Sequence, residues 1–137
     1  VHPLPTSPKL FEMKRLTTTQ LHYLLTINAL LKDERKVRCI DVAVMLGVAR
    51  ATASRMIGLL IEKKLLWQDD RKCLYLTADG NQQITCYTTL LNHFSPLFTD
   101  ILHLSREDTE ACSLVLSTSL EPETLQRLVK SIKHISD

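Results

Sequence analysis

Apolar positions recur at helical spacing along most of this chain. Leu21, Leu24, Ile27 and Leu31 mark a first helix, with Thr17, Thr18 and Thr19 as N-cap choices at its start. The run Lys32 to Lys36 (KDERK) is too polar to bury and reads as the exit loop. A second helix is expected from Cys39 to Leu46, ended by Gly47, because glycine enters a left-handed turn cheaply. A third covers Arg50 to Lys64, with Ala53, Met56, Ile57 and Leu60 on its apolar face and Lys63 and Lys64 in its last turn, where positive charge suits the helix dipole. Leu65 to Trp67 and Cys73 to Leu76 then read as two strands around the turn Asp69-Asp70-Arg71-Lys72.

The second half is helical by the same criteria. Thr77 caps a helix beginning at Ala78, and Ser105 caps another with Glu107 and Asp108 in its first turn. Pro122 opens a last helix whose stripe is Leu125, Leu128, Val129 and Ile132. Residues 81–99 contain no Lys, Arg, Asp or Glu. That stretch has too many Thr, Asn and Gln to span a membrane, so it predicts a helix buried on more than one side, with a second subunit supplying part of the cover. Pro96 is expected to kink or end that helix. Residues 1–9 hold three prolines and no apolar period, which predicts a flexible arm.

Val42-Ala43, Leu46-Gly47-Val48 and Ala53-Ser54-Arg55-Met56 form the most informative local pattern. Ala43 and Ala53 are small where two helices cross closely, and Gly47 makes the turn between them. This is the helix-turn-helix pattern, and the hairpin after it supplies a wing. The expected fold class is therefore mainly α: a winged helix-turn-helix with a two-stranded wing, followed by a helical dimerisation region. Residues 1–16 are assigned to the flexible arm, 17–77 to the DNA-binding domain and 78–137 to the helical region. In that geometry the third helix lies in the major groove with Arg50, Thr52 and Arg55 away from its apolar face. Arg55 suits a guanine edge or a phosphate, Thr52 a phosphate or a thymine methyl, and Ser54 the DNA backbone. Arg71 and Lys72 at the wing tip suit phosphate or minor-groove contacts.

Charge sharpens this picture. The net charge is only +2, but residues 1–76 carry 13 Lys and Arg against 7 Asp and Glu, and residues 77–137 carry 4 against 8. A basic half beside an acidic half points to a polyanionic partner, double-stranded DNA. Composition excludes other classes. Three glycines leave no phosphate loop, and no nucleophile elbow, zinc-protease motif or acid–base pair marks an enzyme. No cofactor is implied. No apolar run is long enough for a membrane span and no signal peptide is visible, which leaves a cytoplasmic location as the expectation. Cys39, Cys73, Cys86 and Cys112 lack a C-x-x-C pair and read as reduced thiols.

The segments VAVMLGV at 42–48, ATASRMIGLLIEKKLL at 51–66, LYLTADG at 74–80 and SLEPETLQRL at 119–128 resemble the DtxR/MntR family of metal-dependent repressors over residues 17–130. The resemblance implies a homodimeric repressor that binds palindromic operators when Mn²⁺ or Fe²⁺ is bound. The family's metal ligands, however, would fall near His22 and Leu25, near Asn92 or His93, and near Leu114, Ser117 and Thr118. Leucine cannot ligate, and Ser and Thr are poor ligands without charge. The usual metal switch is therefore expected to be absent. His22, His93, His103 and Cys112 have no spacing that supports a different site. Ala49 stands where a Ser or Thr commonly caps the recognition helix. The wing DDRKCLYLTADG is also similar to that of the MarR family, whose members respond to small ligands or thiol oxidation but need a longer N-terminal dimerisation helix. A winged-helix protein-interaction module without DNA is the remaining alternative.

Overall fold

The computed structural model describes residues 12–33 and 35–136. The arm expected over residues 1–9 lies outside the described residues. The elements in order are α1 (Thr18–Lys32), α2 (Cys39–Leu46), α3 (Arg50–Glu62), β1 (Leu66–Gln68), β2 (Leu74–Leu76), α4 (Ala78–Pro96), a π-helical turn (Leu97–Ile101), α5 (Arg106–Ser119) and α6 (Pro122–Ser136). The expected class holds: a mainly helical chain with one antiparallel two-stranded wing. The described chain divides into two compact units, residues 19–84 and residues 85–136 together with 12–18. The division falls inside α4.

In the unit of residues 19–84, α1 buries Leu21, Tyr23, Leu24, Ile27 and Leu30. Leu30, not the expected Leu31, is buried, and Tyr23 adds a second inward position. The α2–α3 pair forms where the pattern placed it. Asp41 in the first turn of α2 accepts the Arg38 backbone N–H at 2.9 Å, filling an otherwise unpaired donor at the helix start. Gly47 ends α2 with φ of 66°, and Val48 N donates to Ala43 O across the turn. The two helices bend by 116° over three linking residues, the angle expected of a helix-turn-helix. Ala53, Ile57 and Leu60 close the crossing, each at most 3% exposed.

The wing is tied down at its base. Thr77 Oγ1 donates to Lys64 O at 2.7 Å and accepts from Gly80 N at 2.8 Å, so one hydroxyl both caps α4 and holds the end of α3. Gly80 is needed there because a Cβ would stand 2.1 Å from the Leu65 carbonyl oxygen. That close approach is the physical content of the L-T-x-x-G segment. Leu74 N also donates to Val37 O at 2.7 Å, which fastens β2 to the chain leading into α2.

The other unit packs Leu90, Phe94 and Phe98 against Leu125, Val129 and Ile132, with Leu128 half-buried beside them. The stripe predicted for α6 is the one it buries. Ser105 caps α5 by accepting from Asp108 N at 3.1 Å. Pro96 has no N–H to give the preceding turn. The α-helical pattern stops there, and the chain continues as a π turn closed by Leu102 N to Leu97 O at 3.1 Å. Residues 12–16, grouped with the arm by sequence, carry specific contacts. The buried Tyr87 hydroxyl donates to Lys14 O at 2.7 Å and accepts from Leu16 N at 3.3 Å. Leu16 is 3% exposed, and Arg15 Nη1 lies 2.7 Å from Glu121 Oε2. Burial pushes the Tyr87 phenol pKa up, which keeps it a proton donor.

Candidate nucleic-acid interface

Helix α3 separates its residues cleanly by face. With Ala53, Ile57 and Leu60 inward, a rotation of about 100° per residue puts Ala51, Arg55, Gly58 and Glu62 along the middle of the outward face. Thr52 and Ser54 then lie on opposite edges of that face, about 160° apart. Arg50 stands at the first helical position. Arg50, Thr52, Ser54 and Arg55 are all exposed. Arg55 is therefore central on the outward face with Ala51 and Gly58 beside it, while Thr52 and Ser54 point to opposite sides of the helix. Ala49 caps α3 in extended backbone, φ −65° and ψ 146°, and makes no side-chain cap bond. Cys39 Sγ lies 3.6 Å from the Arg50 carbonyl and donates to it, a weak tie between the starts of α2 and α3.

The wing tip is organised by Asp69, a role the sequence reading did not assign. Its Oδ1 accepts from Arg71 N and Cys73 N, both at 2.9 Å, and its Oδ2 accepts from the Tyr75 hydroxyl at 3.2 Å. The Cys73 N–H bond, followed by those from Arg71 and Tyr75, holds the carboxyl below its ordinary pKa. The hydrogen bond from Tyr75 to Asp69 raises the Tyr75 pKa. Lys72 sits at φ 68°, which swings the chain back into β2. Cross-strand partners Trp67 and Tyr75 stack with ring centroids 4.6 Å apart and planes 26° off parallel. Trp67 remains 49% exposed. The connection between the strands is the five residues 69–73, centred on Arg71, one longer than the four-residue turn expected, and it is this register that sets Trp67 opposite Tyr75 instead of Leu74. Arg71 and Lys72 are exposed at the turn. Helix α3 ends at Glu62, short of the expected Lys64, because Lys64 turns left-handed with φ 62°.

At two of the positions where the sequence resemblance would put metal ligands, the hydroxyls present do not suit a divalent cation. Ser117 is buried and its hydroxyl donates to Ser113 O at 2.8 Å. Thr118 Oγ1 donates to Leu114 O at 2.8 Å and lies 2.6 Å from Thr18 Oγ1. These hydroxyls are used by their own helix and neighbours, and hydroxyls without charge make weak ligands. Among the described residues no three His, Cys, Asp or Glu side chains gather around a common point. His93 is pushed below its usual pKa by burial, with Lys133 adding to the effect. All four cysteines are free; Cys73 and Cys86 are buried, Cys39 and Cys112 partly so. No described single helix is long and apolar enough to cross a membrane.

No protein-family model matches the chain, and no curated protein matches it. Solved structures do. The hypothetical protein SSo2273 from Sulfolobus solfataricus is 18% identical, with a TM-score of 0.67 over 85% of this chain and 89% of that one. The manganese-activated repressor ScaR in its apo form is 17% identical, with a TM-score of 0.63 over 85% of this chain and 53% of that one. IdeR of T. acidophilum is 18% identical, with a TM-score of 0.66 over 88% of this chain and 56% of that one. The chain thus shares the fold of DtxR/MntR-type repressors, as the sequence resemblance implied, and spans about half the length of ScaR and IdeR.

Proposed function

We propose that the chain is a sequence-specific, homodimeric DNA-binding transcriptional regulator of the cytoplasm, a repressor without catalytic activity that works without the Mn²⁺ or Fe²⁺ switch of its structural relatives. The observation that carries this reading is the α2–Gly47–α3 corner, bent by 116°, with Arg55 central on an exposed face bordered by small residues. A helix with short side chains around one arginine can approach base edges closely in a major groove. The fold shared with the manganese-activated repressor ScaR supports the regulatory role. The donor set at residues 117 and 118 supports independence from metal.

Dimerisation is supported by exposed uncharged residues of the helical unit. Thr85, Thr88, Asn92 and Thr99 are exposed along or just beyond α4. Ile101, Leu102 and Val115 are 48%, 55% and 51% exposed in the same unit. Such exposed apolar groups mark association surfaces when they cluster.

The test is selection of bound sequences from random duplex DNA by the full chain, followed by titration of the selected site. Arg55→Ala is expected to weaken binding by about 1–3 kcal/mol and to relax preference at one base position. Arg50→Ala and Arg71→Ala are expected to weaken binding uniformly and to reduce its salt dependence. Added Mn²⁺ or a chelator should leave affinity unchanged, and sedimentation should give a dimer. Absence of duplex binding at low salt sinks the reading.

A protein-interaction module is favoured by a different observation. Ile40, Val44 and Met45 on α2 are 44%, 74% and 58% exposed, an apolar face on the helix that usually crosses phosphates. Val44→Ser, which removes the apolar group without adding charge, should leave DNA binding intact if the regulator reading holds, and abolish partner capture if the module reading holds.

A further inference from the structure

The wing contains two lysines in backbone that favours glycine. Among the described residues the non-glycine positions with positive φ are Lys64 at 62°, Lys72 at 68° and His103 at 56°. For an L residue with a Cβ this region is disfavoured, and glycine or asparagine normally occupies it. Lys64 follows the end of α3. There Leu65 N donates to Leu60 O at 3.0 Å, the closing bond of a helix C-terminus whose left-handed residue is usually glycine. Lys72 closes the wing turn, where Lys72 N donates to Asp69 O at 3.0 Å. The chain does spend a glycine on such a position at the α2–α3 corner, where Gly47 has φ 66°. At both ends of the wing it carries lysine instead.

Neighbouring bonds hold both conformations in place. Thr77 Oγ1 donates to Lys64 O, and Gln68 Nε2 donates to Lys72 O at 3.3 Å. Helix-dipole compensation accounts for a cation near the end of α3, but Lys63 already supplies one and the dipole says nothing about Lys72. Both lysine side chains are exposed, so burial of their stems does not explain them either. Persistent backbone strain of this kind collects at functional positions. Between them on the hairpin stands Trp67, the chain's single tryptophan, stacked on Tyr75 and half exposed. Asp69, which could neutralise the cations, is instead bound to two backbone N–H groups and the Tyr75 hydroxyl.

We propose that Lys64 and Lys72 are kept in left-handed backbone so that the base and the tip of the wing each deliver an ammonium group to a DNA phosphate, with the Trp67 ring against the sugar between them. The proposal rests on the DNA-binding reading and adds Lys64 and Trp67 to it. It makes stability and binding move in opposite directions. Lys64→Gly and Lys72→Gly relieve the strain, so each should leave Tm unchanged or raise it. Each should also remove one phosphate contact. The slope of log K against log salt then shrinks by about one per lysine, and affinity at 0.1 M salt falls about eightfold per lysine. His103→Gly, outside the wing, should behave alike in Tm and leave DNA binding untouched. Trp67 emission should change when the selected duplex is added.

The outcomes separate cleanly. A double Lys64→Gly, Lys72→Gly variant that binds with the wild-type salt slope overturns this proposal and leaves the DNA reading standing. A drop in Tm matching the drop in binding also overturns it, because the lysines would then be needed for folding. Unchanged Trp67 emission on a bound duplex overturns the placement of the ring. A wild-type chain that binds no duplex at low salt overturns both.

Discussion

The two units fill their interiors with different chemistry. Among the described residues of the winged unit, the one buried polar side chain is Gln83, and it has partners. The helical unit buries Thr109, Ser113 and Ser117 at every fourth position of α5. Thr109 Oγ1 and Ser113 Oγ are buried with no hydrogen-bond partner. An apolar interior with each polar group satisfied specifies one arrangement. Unpaired hydroxyls under the surface carry a desolvation cost and leave room for another packing. The winged unit thus specifies its packing more fully, and the helical unit keeps stability in reserve.

The largest way to break this contrast is at Gly80. A Cβ there meets the Leu65 carbonyl at 2.1 Å, and rigid backbone on both sides gives little room to relax. Gly80→Ala should destabilise the winged unit by about 3 kcal/mol in urea unfolding. Loss of under about 1 kcal/mol would mean that this unit is softer than its interior implies. The reverse substitution of character is available in α5. Ser113→Ala and Thr109→Val delete unpaired hydroxyls and should each stabilise by about 1 kcal/mol. Destabilisation instead would show that a water or a second subunit satisfies those groups in solution.

Helix caps sharpen the comparison at smaller scale. Ser105 caps α5 with its side chain, whereas Ala49 leaves α3 uncapped. Ser105→Ala should cost about 1 kcal/mol, and Ala49→Ser should gain a similar amount because its backbone is already extended. Thermal unfolding of the two variants gives the signs directly.

The smallest effect is a pH response confined to the wing. The Asp69 pKa is lowered in the folded state, chiefly by the Cys73 N–H. Its contribution is therefore complete above the unfolded carboxylate pKa and is lost as pH falls through the lower folded value. Trp67 stacks on Tyr75, whose hydroxyl donates to that carboxylate. Trp67 emission should accordingly change below the usual carboxylate range. Asp69→Asn should move that change into neutral solution or abolish it. A flat emission profile through acid pH would mean that the turn does not depend on the charge.

What could be read in advance was local. Gly47, Ser105 and Pro122, and Thr77 in its bond from Gly80, act on residues within one turn of themselves, so their types announced the corner, two caps and a helix start; the bond from Thr77 to Lys64 was not announced. The face of α3 carrying Arg55 followed from period alone. Features that join distant parts of the chain were not visible. Tyr87 reaches Leu16 across 71 positions, and Arg15 reaches Glu121 across 106. No pattern near Tyr87 advertises its partners. The burial of Leu30 in place of Leu31 has the same cause: two apolar neighbours fit the stripe equally, and tertiary packing chooses between them. Lys64 was misjudged for another reason. It is a good helix residue at a helix end, and only the backbone bond from Leu65 to Leu60 shows that the helix has already turned away.

The charge-free run through α4 has a practical consequence for separating the two units. Trypsin cuts after Lys or Arg, and between Lys72 and Arg106 the chain has neither. The division between Ile84 and Thr85 lies inside that interval, so tryptic digestion returns both sides of it on one peptide even from unfolded chain. A cut that parts them must come from an enzyme that recognises aromatic or aliphatic residues. Tyr87, Leu90 and Phe94 are buried, so the rate of that cut reports how often α4 opens.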